Sequence, residues 1–249
     1  MIDIHSHIVY AVDDGARNLE ESVAMLRMAA AHGTTDIVAT PHANSTYLYD
    51  APLIDARILE LQQACGDTPR VHRGCDFHLM PENIDSALAG PGKYSINGRG
   101  FLLVEFPDFF LETALGQVLD RLLAAGLLPV ITHPERNPIL QNRVDLLTEW
   151  VARGCLVQIT ALSLTGGFGR TAKAACERLF RRGLVHFVAS DAHDCHQRPP
   201  ELGRARVYLE RYYGDSYAAI LLDQNPRAVL GGGPIASLPG KSARRWIFQ

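Results

Sequence analysis

Two short motifs at opposite ends of the chain repeat one spacing. His5-Ser6-His7 and Asp191-Ala192-His193 each put two metal-type donors two residues apart. On a strand, residues two apart share a face, so each pair aims both side chains at one point, as a metal site requires. A lone His-x-His is a weak signal. Here it is joined by Asp14 in the following loop and by His42, Asp76, Glu105 and His133. Together these are five imidazoles and four carboxylates. One tetrahedral ion cannot use nine ligands, whereas two or three divalent ions sharing bridging carboxylates can. Oxygen and nitrogen donors without thiolate favour Mn, Fe or Zn over copper or an iron–sulfur cluster. Paired ions about 3.5–4 Å apart activate water and hold phosphoryl oxygens, so the expected chemistry is phosphate-ester hydrolysis.

The elements that must carry these residues are legible from period and punctuation. Apolar runs at 2–5, 36–40, 70–77, 101–106, 128–133, 155–160 and 185–190 read as seven short strands. Helical stretches between them are expected at 18–32, 52–65, 112–125, 141–153 and 171–182. Further helices are expected near 200–213, 216–222 and 225–230, with 44–50, 90–100 and the Gly-rich 165–169 as loops. Strands alternating with helices imply parallel βα units, and a single barrel is the simplest closure. Barrel enzymes work at the C-terminal strand ends. Every expected strand except the sixth ends in a donor of the set just named.

The 249 residues carry a net charge of −3 and are 47% hydrophobic. That suits one α/β domain over 1–249 with a peripheral tail from about 233. It argues against a nucleic-acid groove. No apolar run is long enough to span a bilayer. With the first strand expected from residue 2, no signal peptide is expected. Five cysteines, none in Cys-x-x-Cys spacing, fit reduced thiols in the cytoplasm.

The motifs His5-Ser6-His7 with Asp13-Asp14-Gly15, Thr40-Pro41-His42, Glu105-Phe106, His133-Pro134-Glu135-Arg136 and Ser190-Asp191-Ala192-His193 with Arg198-Pro199-Pro200 resemble those of the polymerase and histidinol phosphatase (PHP) superfamily. Within it they resemble the bacterial manganese-dependent protein tyrosine phosphatases of capsule and exopolysaccharide clusters. The resemblance runs from Met1 to about Leu230. It implies a distorted (β/α)7, TIM-barrel-like fold with three metal ions, Mn foremost. By motif, His5, His7, Asp76 and Asp191 would hold the first ion. Asp76, Glu105 and His133 would hold the second, and Asp14, His42 and His193 the third. Arg136 and Arg198 would lie at the substrate phosphate. The implied substrate is phosphotyrosine on the flexible tail of a bacterial tyrosine autokinase, attacked by a metal-bound hydroxide. One departure stands out: Asp76 occupies a bridging position where the family usually has Glu. His78, two residues on and on the same face if the strand continues, could contribute a donor, although a solvated or core histidine is the expected reading.

Competing readings carry less. Cys176 and Arg182 match the Cys-x5-Arg spacing of thiol phosphatases, but their segment is helical and lacks the glycine of a phosphate cradle. Gly166 to Gly169 is neither a dinucleotide nor a Walker fingerprint. Phe77, Phe109, Phe110, Tyr47, Tyr49 and Phe168 fall near rim loops, where one or two would stack on a substrate ring. A small-molecule phosphatase such as histidinol phosphatase and a nuclease are rival enzymes. Amidohydrolases also open with His-x-His but often bridge two metals with a carboxylated lysine at a strand end, and no lysine stands at such a position here. A metal-stabilised binding module without turnover would not need the full ligand set.

Overall fold

The computed structural model describes residues 1–67, 69–109 and 112–238. Phe110 and the tail from 239 onward therefore lie outside the described residues. The strands are β1 (Ile2–Ser6), β2 (Asp36–Ala39), β3 (His42–Ala43), β4 (Arg70–Arg73), β5 (Asp76–His78), β6 (Phe101–Glu105), β7 (Leu128–Thr132), β8 (Leu156–Thr160) and β9 (Phe187–Ala189). Every pairing between them is parallel.

Two of the expected strands are broken in the middle. Pro41, which has no N–H to give a ladder, separates β2 from β3. Gly74 and Cys75 separate β4 from β5. A Cβ on Gly74 would come within 2.7 Å of Val38 Cγ1 and 3.0 Å of Thr40 Cγ2, so only glycine lets these staves lie so close. The order β1-β2-β4 thus continues as β3-β5-β6-β7-β8-β9. The ring closes where Asp191 N–H donates to His5 O and His7 N–H donates to Ala192 O, each at 2.8 Å. With the broken pairs joined, these are the seven staves of the expected distorted (β/α)7 barrel.

Helices cover the outside: α1 (Leu19–Ala31), α2 (Ala51–Cys65), α3 (Pro81–Ala89), α4 (Glu112–Ala124), α5 (Val144–Ala152), α6 (Ala161–Thr165), α7 (Gly169–Arg182), α8 (Gly203–Tyr213), α9 (Asp215–Ala219) and α10 (Asn225–Gly231). Asn18 caps α1 by accepting the Glu21 N–H at 2.9 Å, and Asp50 caps α2 through the Leu53 N–H at 3.1 Å. Met25, Leu26 and Ala29 of α1 and Ile54 and Leu61 of α2 then pack on the outward Ile37 and Ala39. Two helices were not expected from the sequence. α3 is short, with only Ile84 and Ala87 buried, so its periodic signal is weak. α6 begins directly at the end of β8 and stops at Gly166, whose φ of 97° is open to glycine.

The lower barrel interior is apolar. Ile2, Ile4, Val38, Phe101, Leu103, Val130, Phe187 and Ala189 fill it, closed beneath by Ile96 and by Val229 of α10. The polar residues sit above this plug. No helix among the described residues is long and apolar enough to cross a membrane.

Candidate metal centre

Strand parity alone would put the first two histidines on the wrong side. Ile2 and Ile4 point inward, so strict alternation would turn His5 and His7 outward. The pairing with β2 slips between Asp3 and Ser6: Asp3 stands opposite Ile37 but Ser6 stands opposite Ala39. This extra residue is a β-bulge, a device that re-aims side chains near active sites. Ser6 turns outward and donates to Val38 O at 2.7 Å, while His5 and His7 turn into the barrel mouth.

There the structure brings together all nine donors read from the sequence. His5 Nε2 lies 3.4 Å from Asp191 Oδ1 and 3.6 Å from Asp76 Oδ2. His7 Nε2 is 3.4 Å from Asp191 Oδ1. His42 Nε2 and His193 Nε2 face Asp14 Oδ1 at 3.4 and 3.6 Å. His133 Nε2 is 3.8 Å from Glu105 Oε1. His133 and Asp191 both adopt positive φ, 33° and 54°, in a backbone region that side chains other than glycine seldom occupy. Such strain costs about 1–3 kcal/mol per residue and concentrates at functional sites.

The donors fall into four overlapping groups: His7, Asp14, His42 and His193; His42, Asp76, His78 and Glu105; His5, His7 and Asp76; and His5, His133 and Asp191. Within each, the donor atoms lie within 4.8 Å of one another. This differs from the sets that the resemblance implies, because His7 joins the Asp14 group and His133 sits with His5 and Asp191. His78 joins these donors from a half-buried position, its Nε2 2.5 Å from Glu105 Oε2. The reason is local: β5 continues through residue 78, which keeps His78 on the face of Asp76.

The cluster fits divalent ions. Asp76 is fully buried, yet neither carboxylate oxygen has a hydrogen-bond partner among the described residues. His42 Nδ1 stands 3.1 Å from Asp76 Oδ2 but outside hydrogen-bonding geometry. His193 Nε2 is likewise buried without a hydrogen-bond partner among the described residues. Buried polar atoms are nearly always satisfied, and an uncompensated buried carboxylate is costly. A cation coordinated by these atoms removes both problems, and the oxygen–nitrogen set suits a hard or borderline metal.

Residues outside the expected set orient these donors. Asp13 Oδ2 accepts from His7 Nδ1 at 2.6 Å and from the His42 N–H at 3.1 Å, and its Oδ1 accepts the Gly15 N–H at 3.0 Å. Burial works against this carboxylate's charge, but His7 beside it holds its pKa down to about 2. Gln158 Oε1 faces His5 Nδ1 at 3.0 Å, and Asp191 O faces His193 Nδ1 at 3.1 Å. Each contact ties up Nδ1 and leaves Nε2 for the centre, the usual arrangement behind metal-bound histidine. The sixth strand, which ends in no imidazole or carboxylate, therefore contributes through Gln158. Nothing in its local sequence marks that role; only the barrel brings it to His5. Asp13, by contrast, stands in plain view within Asp13-Asp14-Gly15.

Arg136 and Arg198 converge on the other side of Asp191. Both guanidinium groups donate to Asp191 Oδ2, Arg198 at 2.6 Å, while Oδ1 faces His5 and His7. The Arg198 Nε–H is buried without an acceptor among the described residues. Phe168 lies under Arg136, 4.6 Å from its guanidinium carbon to the ring centre. Phe168 thus supports an arginine. Phe77 is corrected from rim to core: it is fully buried and edge-on to Tyr94 at 5.1 Å. Phe109 is 88% exposed. Cys176 and Arg182 both lie within α7, Cys176 fully buried and its thiol pushed up by burial, so no thiol phosphate loop exists there.

A closed parallel barrel whose mouth gathers imidazoles around a buried aspartate without hydrogen-bond partners has the donor set of a metal-binding barrel protein, with two arginines on Asp191 at its edge. More narrowly, the chain belongs to the capsular polysaccharide synthesis CpsB/CapC family, whose model matches residues 1–231. It is similar to the tyrosine-protein phosphatase YwqE of Bacillus subtilis, 35% identical across 98% of this chain and 97% of that protein. It is also similar to the tyrosine-protein phosphatase CpsB of Streptococcus pneumoniae, 31% identical across 92% of this chain and 98% of the relative. A crystal structure from work on YwqE and CpsB, described as unique metal-dependent tyrosine phosphatases, superposes with a TM-score of 0.84. It is 33% identical and covers 98% of this chain and 100% of its own.

Proposed function

We propose that this chain is a metal-dependent phosphotyrosine-protein phosphatase. The observation that carries the reading is Asp191. One of its oxygens faces the His5 and His7 imidazoles, and the other holds Arg136 and Arg198 side by side. A phosphate monoester needs both halves: cations for its non-bridging oxygens and a site beside them for attacking water. We assign Arg136 and Arg198 to the phosphoryl oxygens. The unpartnered Arg198 Nε–H supports this, because a planar guanidinium binds phosphate through parallel N–H donors.

Three divalent ions, Mn foremost, would be held by His5, His7, Asp14, His42, Asp76, Glu105, His133, Asp191 and His193. Ions bound there supply Lewis acidity and lower the pKa of water. The protein's own share is positional. Gln158 and Asp13 fix the His5 and His7 rings, and Asp191 orients both arginines. The leaving phenol has a pKa of about 10, so departure as the oxyanion needs no dedicated carboxylic acid once its charge is offset. Residues 1–249 form one catalytic unit in this reading, working in the cytoplasm on the flexible tyrosine-bearing tail of an autokinase. The names of the relatives support a tyrosine-phosphorylated protein as the substrate class, and the family's description supports a place in capsular polysaccharide synthesis.

The test is hydrolysis of a phosphotyrosine peptide and of histidinol phosphate, before and after chelation and after Mn²⁺ is returned. Activity should favour the peptide, vanish on chelation and come back with Mn²⁺. Turnover that survives exhaustive chelation, or a preference for histidinol phosphate, refutes the proposal.

A further inference from the structure

The register of three neighbouring strands sets four donors side by side. On β3 and β5, His42 pairs with Asp76; on β5 and β6, His78 pairs with Glu105. In parallel strands, paired residues share a face, and so do Asp76 and His78 along β5. The result is a compact patch. His78 Nε2 is 2.5 Å from Glu105 Oε2 and 3.1 Å from His42 Nδ1. Next to it both oxygens of Asp76 are fully buried and unpartnered. Aspartate reaches a short way from its strand. His78 carries a longer side chain from the same strand and face to the same spot.

We propose that His78 is itself a ligand, donating Nε2 to a divalent ion shared with Asp76 and Glu105. The inference rests on the metal reading above and adds an imidazole to it. The alternative role for His78 is structural, a hydrogen-bond donor that steadies Glu105. The two roles differ in what a glutamine does. A side-chain amide can still donate to Glu105, but it removes the imidazole nitrogen from the ion.

The experiment compares wild type, His78→Gln and His78→Ala by titrating the apo-protein with Mn²⁺ calorimetrically and by recording the visible spectrum of the Co²⁺ form. Circular dichroism checks the barrel. Both variants should lose one ion or bind it at least ~10–100-fold more weakly, the loss that even an outer partner's removal brings. The Co²⁺ bands should shift in both. In wild type, a Zn²⁺ titration followed through the imidazole ¹⁵N signals should move Nε2 of His78, a readout that needs no variant to fold. If His78→Gln keeps wild-type ion count, affinity and Co²⁺ spectrum, or if the His78 ¹⁵N signal stays put while the other ligands shift, the inference is overturned. A wild-type chain that takes up no divalent ion refutes the metal reading itself, a result separable from the failure of His78 alone.

Discussion

Gly15 is the most direct lever on the centre. Its N–H donates to Asp13 Oδ1, and the next residue's N–H donates to His7 O at 3.1 Å, so this turn is laced to His7. A Cβ at position 15 would stand 2.1 Å from His7 O and 2.5 Å from His7 Cβ. Ordinary contact starts at 3.4 Å, so Gly15→Ala must open a gap of about 1.3 Å. The obstacle is backbone and Cβ, which no rotamer change moves away. Overpacking of this kind costs about 1–3 kcal/mol, or roughly 2–4 °C of Tm per kcal/mol at this chain length. Function should suffer more. His7 is held by the 2.6 Å contact to Asp13 and faces Asp191 at 3.4 Å. A displacement near 1 Å of a positioned group costs on the order of 10²-fold in rate. Gly183→Ala is the control: φ and ψ there are 69° and 27°, in the left-handed region, but nothing lies within 4 Å, so it should cost about 1–2 kcal/mol of strain and leave turnover alone. Thermal unfolding by circular dichroism and phosphotyrosine-peptide turnover with Mn²⁺ read out both. Wild-type turnover in a folded Gly15→Ala protein would refute the claim that this turn positions His7.

Two further outcomes are expected. Cys176→Ser should retain wild-type peptide turnover while losing about 1–3 kcal/mol of stability from burying a hydroxyl; a folded, metal-loaded but inactive variant would bring thiol chemistry back. His186 should supply acid sensitivity, because its Nδ1 accepts the Val157 N–H at 3.1 Å and burial lowers its pKa from 6.5 to about 4. The folded state then binds fewer protons than the unfolded chain between these values. This contribution is full above pH 6.5 and is lost as pH falls towards 4, amounting to at most about 3 kcal/mol. Denaturant unfolding of wild type and His186→Gln at pH 7 and pH 4.5 should show the smaller drop in the variant; equal drops would remove His186 as the cause.

The sequence by itself determined the barrel and the chemistry of its mouth. Alternating apolar runs and capped helices fix parallel βα units, because those signals are local and each element carries its own. Donors at strand ends were equally visible, since barrel topology sends every strand's C-terminal end to one rim. The short α3 and α6 were not visible: α3 buries only Ile84 and Ala87, and α6 spans five residues, too few turns in either for a period to be imprinted. The tertiary structure alone decided which donors meet. His5 and His7 face inward only because β1 bulges between Asp3 and Ser6, a slip defined by the partner strand. Gln158 meets His5 across 153 residues of chain, and Arg136 and Arg198 meet on one oxygen of Asp191 from different loops. His78 joins Glu105 through the β5–β6 register. Each of these depends on how separate strands align when the ring closes, and hydrophobic periodicity within one segment does not encode the distance between two.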